Sequence, residues 1–469
     1  MIEPSRRYPR TLSSLSRREF LVAGAAALAI PGCALNRFGS AVTSRPVPSR
    51  AQLEWQRDEL ALFLHFGVNT FTDREWGDGK EDPAIFNPAR LDARQWARAA
   101  RAAGFRAMIL TAKHHDGFCL WPTRTTDHSV ARAAWRDGHG DVVREFVDAC
   151  RAEGLKAGLY CSPWDRNHPV YGDSPRYNDV FCEQITELLT RYGTIGEVWF
   201  DGANGEGPNG KKQQYDFPRF WSLVTRLQPN AVMFSDAGPG VRWIGNENGV
   251  AAETNWSTVD PSIVTVPGMS GNAVMRSLRE GDRDGSVWRP GETDVSIRPG
   301  CFYHPAEDAR VKTIDQLVGL YFTSVGRNSK LLLNVPPTRD GLLHDTDVAR
   351  LAGMRERLND VFRDDLAAHR RPVWRASGTR SAVTEIDLGR VVSATIADFR
   401  EDIAHGQRVA RYVLEGSMGR DWSVMSRGTT VGYRKLDRFR PVSVRRVRFT
   451  IEDAADAPRP VDIRLYAGA

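Results

Sequence analysis

The segment 196–205, GEVWFDGANG, puts an acid where an apolar run stops. Val198, Trp199 and Phe200 have the character of a buried strand, and Asp201 follows with Gly202 behind it to let the backbone turn. A carboxylate at the end of a buried strand is held rigidly and aimed at a pocket mouth. In a β/α barrel those C-terminal strand ends carry the chemistry. Asp201 therefore reads as a nucleophile. Retaining glycosyl transfer to water needs two carboxyl groups about 5–5.5 Å apart, one attacking and one donating a proton. Glu247 suits the second role. It lies in the loop RWIGNENG, 242–249, with Gly245 and Gly249 on either side and Trp243 near enough to raise its pKa by desolvation. Glu253 in AAETNW is a rival and Glu206 a weaker one.

Other polar residues fall at strand ends where one pocket would gather them. They are His65, the run Lys113-His114-His115-Asp116, Tyr160 followed by Trp164, and Trp199. Glu75 and Trp76 would close the rim. Aromatic faces stack on the C–H surfaces of a sugar, while His, Glu and Tyr satisfy its hydroxyls. No metal is expected. Adjacent histidines on an extended segment point opposite ways and seldom chelate one ion, and neither HExxH nor HxH occurs. No cofactor motif appears: GxGxxG and the P-loop are both missing.

The elements needed to present these residues alternate along the chain. Apolar strands are expected at 60–67, 106–111, 155–160, 197–200, 231–234 and 330–335. Amphipathic helices are expected at 92–103, 141–153, 178–192, 216–227, 313–325 and 345–362. Asp92 reads as an N-cap, and Gly104 and Gly154 as stops. Residues 236–310 are irregular and rich in Gly, Pro and Trp. Repeated strand–helix units imply parallel strands with crossover helices. Over residues 51–365 they fit a (β/α)8-like TIM barrel, with helices missing or deformed within 236–310. From residue 371 to 469 helical periodicity stops and short apolar runs between polar turns predict a β-sandwich, in which Trp422 and Tyr433 read as core packing before sugar binding.

Residues 1–33 stand apart. Arg17 and Arg18 in SRREFLV precede the apolar segment 20–30, the pattern of a twin-arginine export signal. The run 30–33, IPGC, is a lipoprotein-type cleavage box with Cys33 as the lipidated residue; the plainer reading is a signal cut near Ala34. Residues 34–50 read as a linker. The expected location is exported: periplasmic, or at a membrane through a lipid on Cys33. Residues 1–32 carry five Arg and two Glu, +3 of the total +6, so the rest of the chain is near neutral and a nucleic-acid role is not supported. The six cysteines show no CxxC spacing, which argues against a disulfide scaffold or zinc knuckle.

Taken in order, HFGVNTFTDREWGDG, KHHDGFCLWPT, EVWFDGANG, NENG, WRPGETDVSIRPG and LLLNVPP resemble the α-L-fucosidases of glycoside hydrolase family 29. Within the family they look like the branch preferring fucose linked α-1,3 or α-1,4. The resemblance spans residues 50–360, and the C-terminal segment resembles the family's β appendage. It implies a retaining exo-α-L-fucosidase acting on fucosylated oligosaccharides, with Asp201 as nucleophile and Glu247 as acid/base. It further implies fucose contacts from His65, Glu75, Trp76, His114, His115, Tyr160, Trp199, Trp288 and Glu292. Two positions depart from the family pattern: Cys301, where an aromatic residue is expected, and Cys161 after Tyr160. A catalytically silent glycan-binding lipoprotein and a hydrolase for a related sugar such as α-L-galactose stand as alternatives.

Overall fold

Residue parity along the strands builds the barrel. In β1 (Leu60–Leu64) the alternate residues Leu60, Leu62 and Leu64 join the large apolar cluster under the helices, whereas Ala61 and Phe63 join a second cluster inside the barrel. The same alternation sends Ala107 and Ile109 of β2 (Ala107–Lys113) inward and Met108 and Leu110 outward. Strands buried on both faces read as continuous apolar runs, which is why these were visible in the sequence.

The computed structural model describes residues 45–468 apart from Arg371. Arg17, Arg18 and Cys33 thus lie outside the described residues, as does most of the expected linker. Beyond β1 and β2, the parallel strands are β3 (Lys156–Cys161), β4 (Glu197–Trp199), β5 (Val232–Phe234) and β6 (Arg242–Trp243). A two-stranded ribbon of β7 (Thr258–Val259) and β8 (Val287–Trp288) follows, then the barrel strands β9 (Gly291–Ser296) and β10 (Ser329–Asn334). The barrel order is β5-β4-β3-β2-β1-β10-β9-β6. A parallel bridge between Phe234 and Val241 brings β5 against β6 and closes the ring.

The helices are α1 (Arg50–Asp58), α2 (Val68–Thr72), α3 (Ala93–Ala102), α4 (Val142–Ala152), α5 (Ser174–Arg191), α6 (Phe217–Leu227), α7 (Asn272–Glu280), α8 (Ile314–Thr323) and α9 (Asp345–Val361). Asp92 caps α3 by accepting from the backbone N–H of Gln95 at 3.1 Å, and Asp141 caps α4 through that of Arg144 at 2.9 Å. The stretch 236–310 is not irregular throughout. It supplies two barrel strands, the ribbon and α7. These were hidden because β6 is two residues long and β9, GETDVS, turns Glu292 and Asp294 toward the interior, so neither shows an apolar run.

The C-terminal strands are β11 (Arg375–Ala376), β12 (Ala382–Glu401), β13 (Val409–Ser417), β14 (Ser423–Gly428), β15 (Lys435–Ala454) and β16 (Val461–Tyr466). They form one antiparallel sheet. The two 20-residue strands β12 and β15 carry register shifts between Asp387 and Val392 and between Ala394 and Ile396. There the sheet bends so that its halves face each other, with Phe399 packed 4.7 Å from Phe449 and 5.1 Å from Tyr412. Trp422 sits half-exposed beneath Arg446 and Arg448. Tyr433 lies at the junction with the barrel, where its backbone N–H donates to Asn328 at 2.8 Å. Near it, buried Arg434 reaches Glu59, just before β1, and Asp398 of β12. This all-β domain buttresses the end of the barrel opposite the strand C-termini.

Candidate active site

The inward parity continues past the strand ends and assembles a cavity of about 350 Å³. Phe63 leads to His65, Tyr160 follows Gly158, Trp199 leads to Asp201, and Leu332 leads to Asn334. The lining includes Phe63, His65, Trp76, His114, His115, Tyr160, Trp199, Asp201, Glu247, Asp294, Ser296, Lys312, Cys301 and Asn334.

Asp201 is fixed at both oxygens. Oδ1 accepts from the backbone N–H of Ala203 at 2.7 Å, and Oδ2 accepts from the Tyr160 hydroxyl at 3.0 Å. Gly202 is required for close approach rather than for an unusual φ: a Cβ there would stand 2.5 Å from the backbone nitrogen of Gly268. Trp199 stacks on Phe234 with ring centroids 3.8 Å apart and planes inclined by 7°.

The hydrogen-bond network fixes the tautomers of two histidines. Asn334 Nδ2 donates to the carbonyl of Cys301 at 2.8 Å, so its Oδ1 must face His65 Nδ1, 2.8 Å away. That nitrogen therefore carries the hydrogen, and His65 Nε2 is left as an acceptor. Likewise Ser162 Oγ donates to the carbonyl of Trp164 at 2.7 Å and so must accept from His115 Nδ1 at 2.8 Å. His115 Nε2 then presents a lone pair 3.7 Å from Asp201 Oδ2, too long for a direct hydrogen bond. A hydroxyl placed between these two acceptors can donate to either. Burial depresses all three histidines, His65 to about 4, so they are neutral near pH 7. His114 and His115 both line the cavity, with ring centroids 4.2 Å apart; the opposite orientation argued against metal chelation does not apply, because they follow the end of β2 in a turn rather than within a strand.

Glu247 rides the loop after β6. Gly249 there has φ +74°, and a Cβ on it would meet Leu320 at 2.5 Å, so this end of the loop admits only glycine. Burial, the charge of Asp201 and that of Glu75 push the Glu247 carboxyl upward. The expected role of Trp243 is different in detail: its indole N–H donates to Asp294 Oδ1 at 2.9 Å. Asp294 is a third cavity carboxyl that the sequence reading passed over, raised to about 8 by burial and by Glu247. Lys312, held by the carbonyl of Ser296 at 2.6 Å, and Asn334 were also missed. For Asp294 and Asn334 the signal is a position two residues along an inward-facing strand from Glu292 and Leu332; Lys312, just before α8, carries none.

Several expectations need correction. Trp288 lies in the ribbon, away from the cavity, with its indole N–H donating to Gln56 at 3.0 Å. Glu292 is buried inside the barrel below the cavity, accepting from the Trp199 indole N–H at 3.0 Å. Trp288 belongs to the ribbon rather than to a barrel strand, and Glu292 sits too early along β9 to reach its C-terminal end. Glu75 does not line the cavity. It accepts from the backbone N–H groups of Cys301 and Phe302 and from His304, and so ties down the segment bearing Cys301. Trp76 does reach the rim, 59% exposed, with edge contacts to His115 and Trp164. Glu253 points to Arg327 and to Lys435 Nζ, 2.6 Å away, and Glu206 lies on an exposed loop whose backbone pairs with that of Lys212; neither lines the cavity. Among the described residues no three His, Cys, Asp or Glu side chains are grouped to hold a metal ion.

Comparison with known proteins places this geometry. The sequence matches a family model described as alpha-L-fucosidase over residues 80–360. It is 42% identical over 452 residues to alpha-L-fucosidase 1 of Arabidopsis thaliana, an alignment covering 90% of this chain and 87% of the plant protein. A glycoside hydrolase 29 family member from an unknown rumen bacterium has a similar structure, with TM-score 0.84, 41% identity and coverage of 91% of this chain and 78% of that one. A GH29 fucosidase of Ruminococcus gnavus, solved in complex with fucose, gives TM-score 0.80 at 30% identity, covering 90% and 95% of the two chains.

Proposed function

The chain belongs to the glycoside hydrolase family 29 α-L-fucosidases, and from that premise we propose that this α-L-fucosidase works by retaining double displacement, with Asp201 as nucleophile and Glu247 as acid/base. The observation that carries the mechanism is that both carboxyls line one cavity, where burial first and then the charge of Asp201 push Glu247 upward. Glu247 holds its proton while Asp201 is ionised and donates it to the departing oxygen. Once Asp201 is esterified by the sugar its charge is gone, and with it one upward push on Glu247. Glu247 can then take a proton from the incoming water. Tyr160 and the Ala203 N–H hold Asp201 in line. The neutral His65 and His115 offer lone pairs to sugar hydroxyls, and Trp199 offers an aromatic face.

The cavity suits a terminal sugar, so cleavage is exo. A preference for α-1,3- or α-1,4-linked fucose rests on the motif set, with Cys301 as the cavity residue that departs from it. Residues 1–33 would export the chain and Cys33 would carry lipid; this rests on Arg17-Arg18, the apolar core and the IPGC run. The decisive experiment is proton NMR of an aryl α-L-fucoside digest at early times. The α-anomer of free fucose forms first if the reaction retains configuration; β-fucose first would overturn the double displacement.

A further inference from the structure

Below the cavity floor the barrel interior holds two acids and one base. Glu197 on β4, Glu292 on β9 and Lys330 on β10 are all buried. Lys330 Nζ lies 3.1 Å from Glu197 Oε2 and 3.9 Å from Glu292 Oε2. The Trp55 indole N–H, from α1, donates to Glu197 Oε2 at 2.9 Å, and that of Trp199 donates to Glu292 Oε1 at 3.0 Å. Among the described residues two carboxyl oxygens here have no partner, Glu197 Oε1 and Glu292 Oε2.

With every group ionised, this site would bury a net negative charge and leave two buried acceptors without a protein partner, each costly. A single proton removes both faults. Placed on Glu292 it is donated to Glu197, whose side chain is within hydrogen-bond reach, leaving one carboxylate to balance one ammonium. The alternative bearer, Glu197, already receives both Lys330 and the Trp55 indole on its Oε2. We infer that Glu292 is a neutral carboxylic acid hydrogen-bonded to Glu197, and that it is a positioning residue that holds Trp199 in the cavity floor through the indole N–H. Burial and the neighbouring Glu197 both push the Glu292 carboxyl upward, against the pull of Lys330. The charged groups lining the cavity beside Glu197 and Lys330 are Glu54 and Asp58 of α1 and Lys156 of β3, with Lys156 paired to Asp58 at 2.8 Å. This role rests on the reading that the Trp199 face receives the sugar. Trp199 stands two residues before Asp201, so a tilt of the indole would be felt at the reacting carbon.

The test compares Glu292→Gln with Glu292→Met. Gln keeps an acceptor for Trp199 and a donor for Glu197, so kcat/KM on an aryl fucoside should stay within about threefold of wild type. Met keeps neither, and kcat/KM should fall at least tenfold. Met leaves Glu197 and Lys330 as a balanced pair but strips the partners of the Trp199 indole and of Glu197 Oε1, so Tm falls as well, and the kinetics are read well below both unfolding midpoints. Infrared difference spectra at neutral pH should show a protonated-carboxyl C=O band in wild type that disappears in Glu292→Gln, and the Trp199 indole ¹⁵N–H resonance should move in Glu292→Met but hold in Glu292→Gln. The inference is overturned if Gln is as damaging as Met, if Met is harmless, or if no protonated-carboxyl band is lost. Wild-type inactivity on fucosides would sink the function instead, and the spectra would still judge the proton.

Discussion

Asn334→Asp tests the tautomer argument at its root. Asn334 accepts from His65 Nδ1 at 2.8 Å and donates to the Cys301 carbonyl at 2.8 Å and to Ser296 Oγ at 3.0 Å. Aspartate has the same shape but cannot donate, so the Cys301 carbonyl loses its partner, at a cost of about 1–3 kcal/mol for a buried group. The larger effect is electrostatic. A carboxylate about 4 Å from an imidazolium charge, at an effective dielectric constant of about 20, favours the charged form by about 4 kcal/mol. That is about three pH units at roughly 1.4 kcal/mol per unit. His65, now held near 4 by burial, would titrate near 7. Its Nε2 would then carry a hydrogen in about half the molecules at neutral pH, turning an acceptor of a sugar hydroxyl into a donor. The kcat/KM for an aryl fucoside at pH 7 should fall at least tenfold. Two-dimensional ¹H–¹⁵N spectra of the histidines should show the wild-type ring protonated at Nδ1 and the variant ring titrating about three units higher. A wild-type ring protonated at Nε2, or a variant ring still titrating below 5, would overturn the tautomer assigned to His65.

Other outcomes follow from the same geometry. Glu247→Ala should lower kcat/KM by about 10²–10⁴-fold on fucosides with poor leaving groups and far less on activated ones, as loss of a general acid requires. Glu253→Ala, which removes the partner of Arg327 and Lys435, should show no such leaving-group dependence. Asp294→Ala strips the acceptor from the Trp243 indole at the root of the Glu247 loop, and steady-state kinetics should show about a tenfold loss that Asn largely restores. Lys113 is fully buried against Asp165, Tyr177 and Gln184, so Lys113→Met should cost about 3–5 kcal/mol in thermal or denaturant unfolding by leaving Asp165 unpaired. Burial raises the Asp165 carboxyl, but Lys113 and the His168 backbone N–H outweigh it and the net shift is downward. Wild type should therefore keep this contribution above about pH 4, near the carboxylate's ordinary value, and lose it on further acidification; a flat Tm through that range would contradict the pair.

The fold was legible wherever the physics of a buried parallel strand leaves an apolar run. β1 to β5 and β10 each show one, and the helix cap Asp92 fell where its hydrogen bond places it. β6 and β9 were not legible, because one is two residues long and the other spends its inward positions on Glu292 and Asp294. The sandwich was read correctly as all-β, but its short apparent strands are pieces of two 20-residue strands interrupted by bulges, and polar turn signals do not distinguish a bulge from a chain reversal.

The site shows the same limit in sharper form. Parity tells which residues of a barrel strand face inward, but depth decides what they do, and depth depends on where the strand begins. Glu292 and Asp294 share a face two residues apart, a rise of about 7 Å along the strand. The deeper one pairs beside Lys330, with Trp199 above it, whereas the shallower reaches the cavity wall beside Glu247. Asp201 escaped this ambiguity because the apolar run before it and the glycine after it mark the strand end in the sequence itself. In β9 no such mark exists. There the glycine opens the strand and polar residues run through it, so a carboxyl of the cavity and a carboxyl of the core look alike until neighbouring strands fix the register.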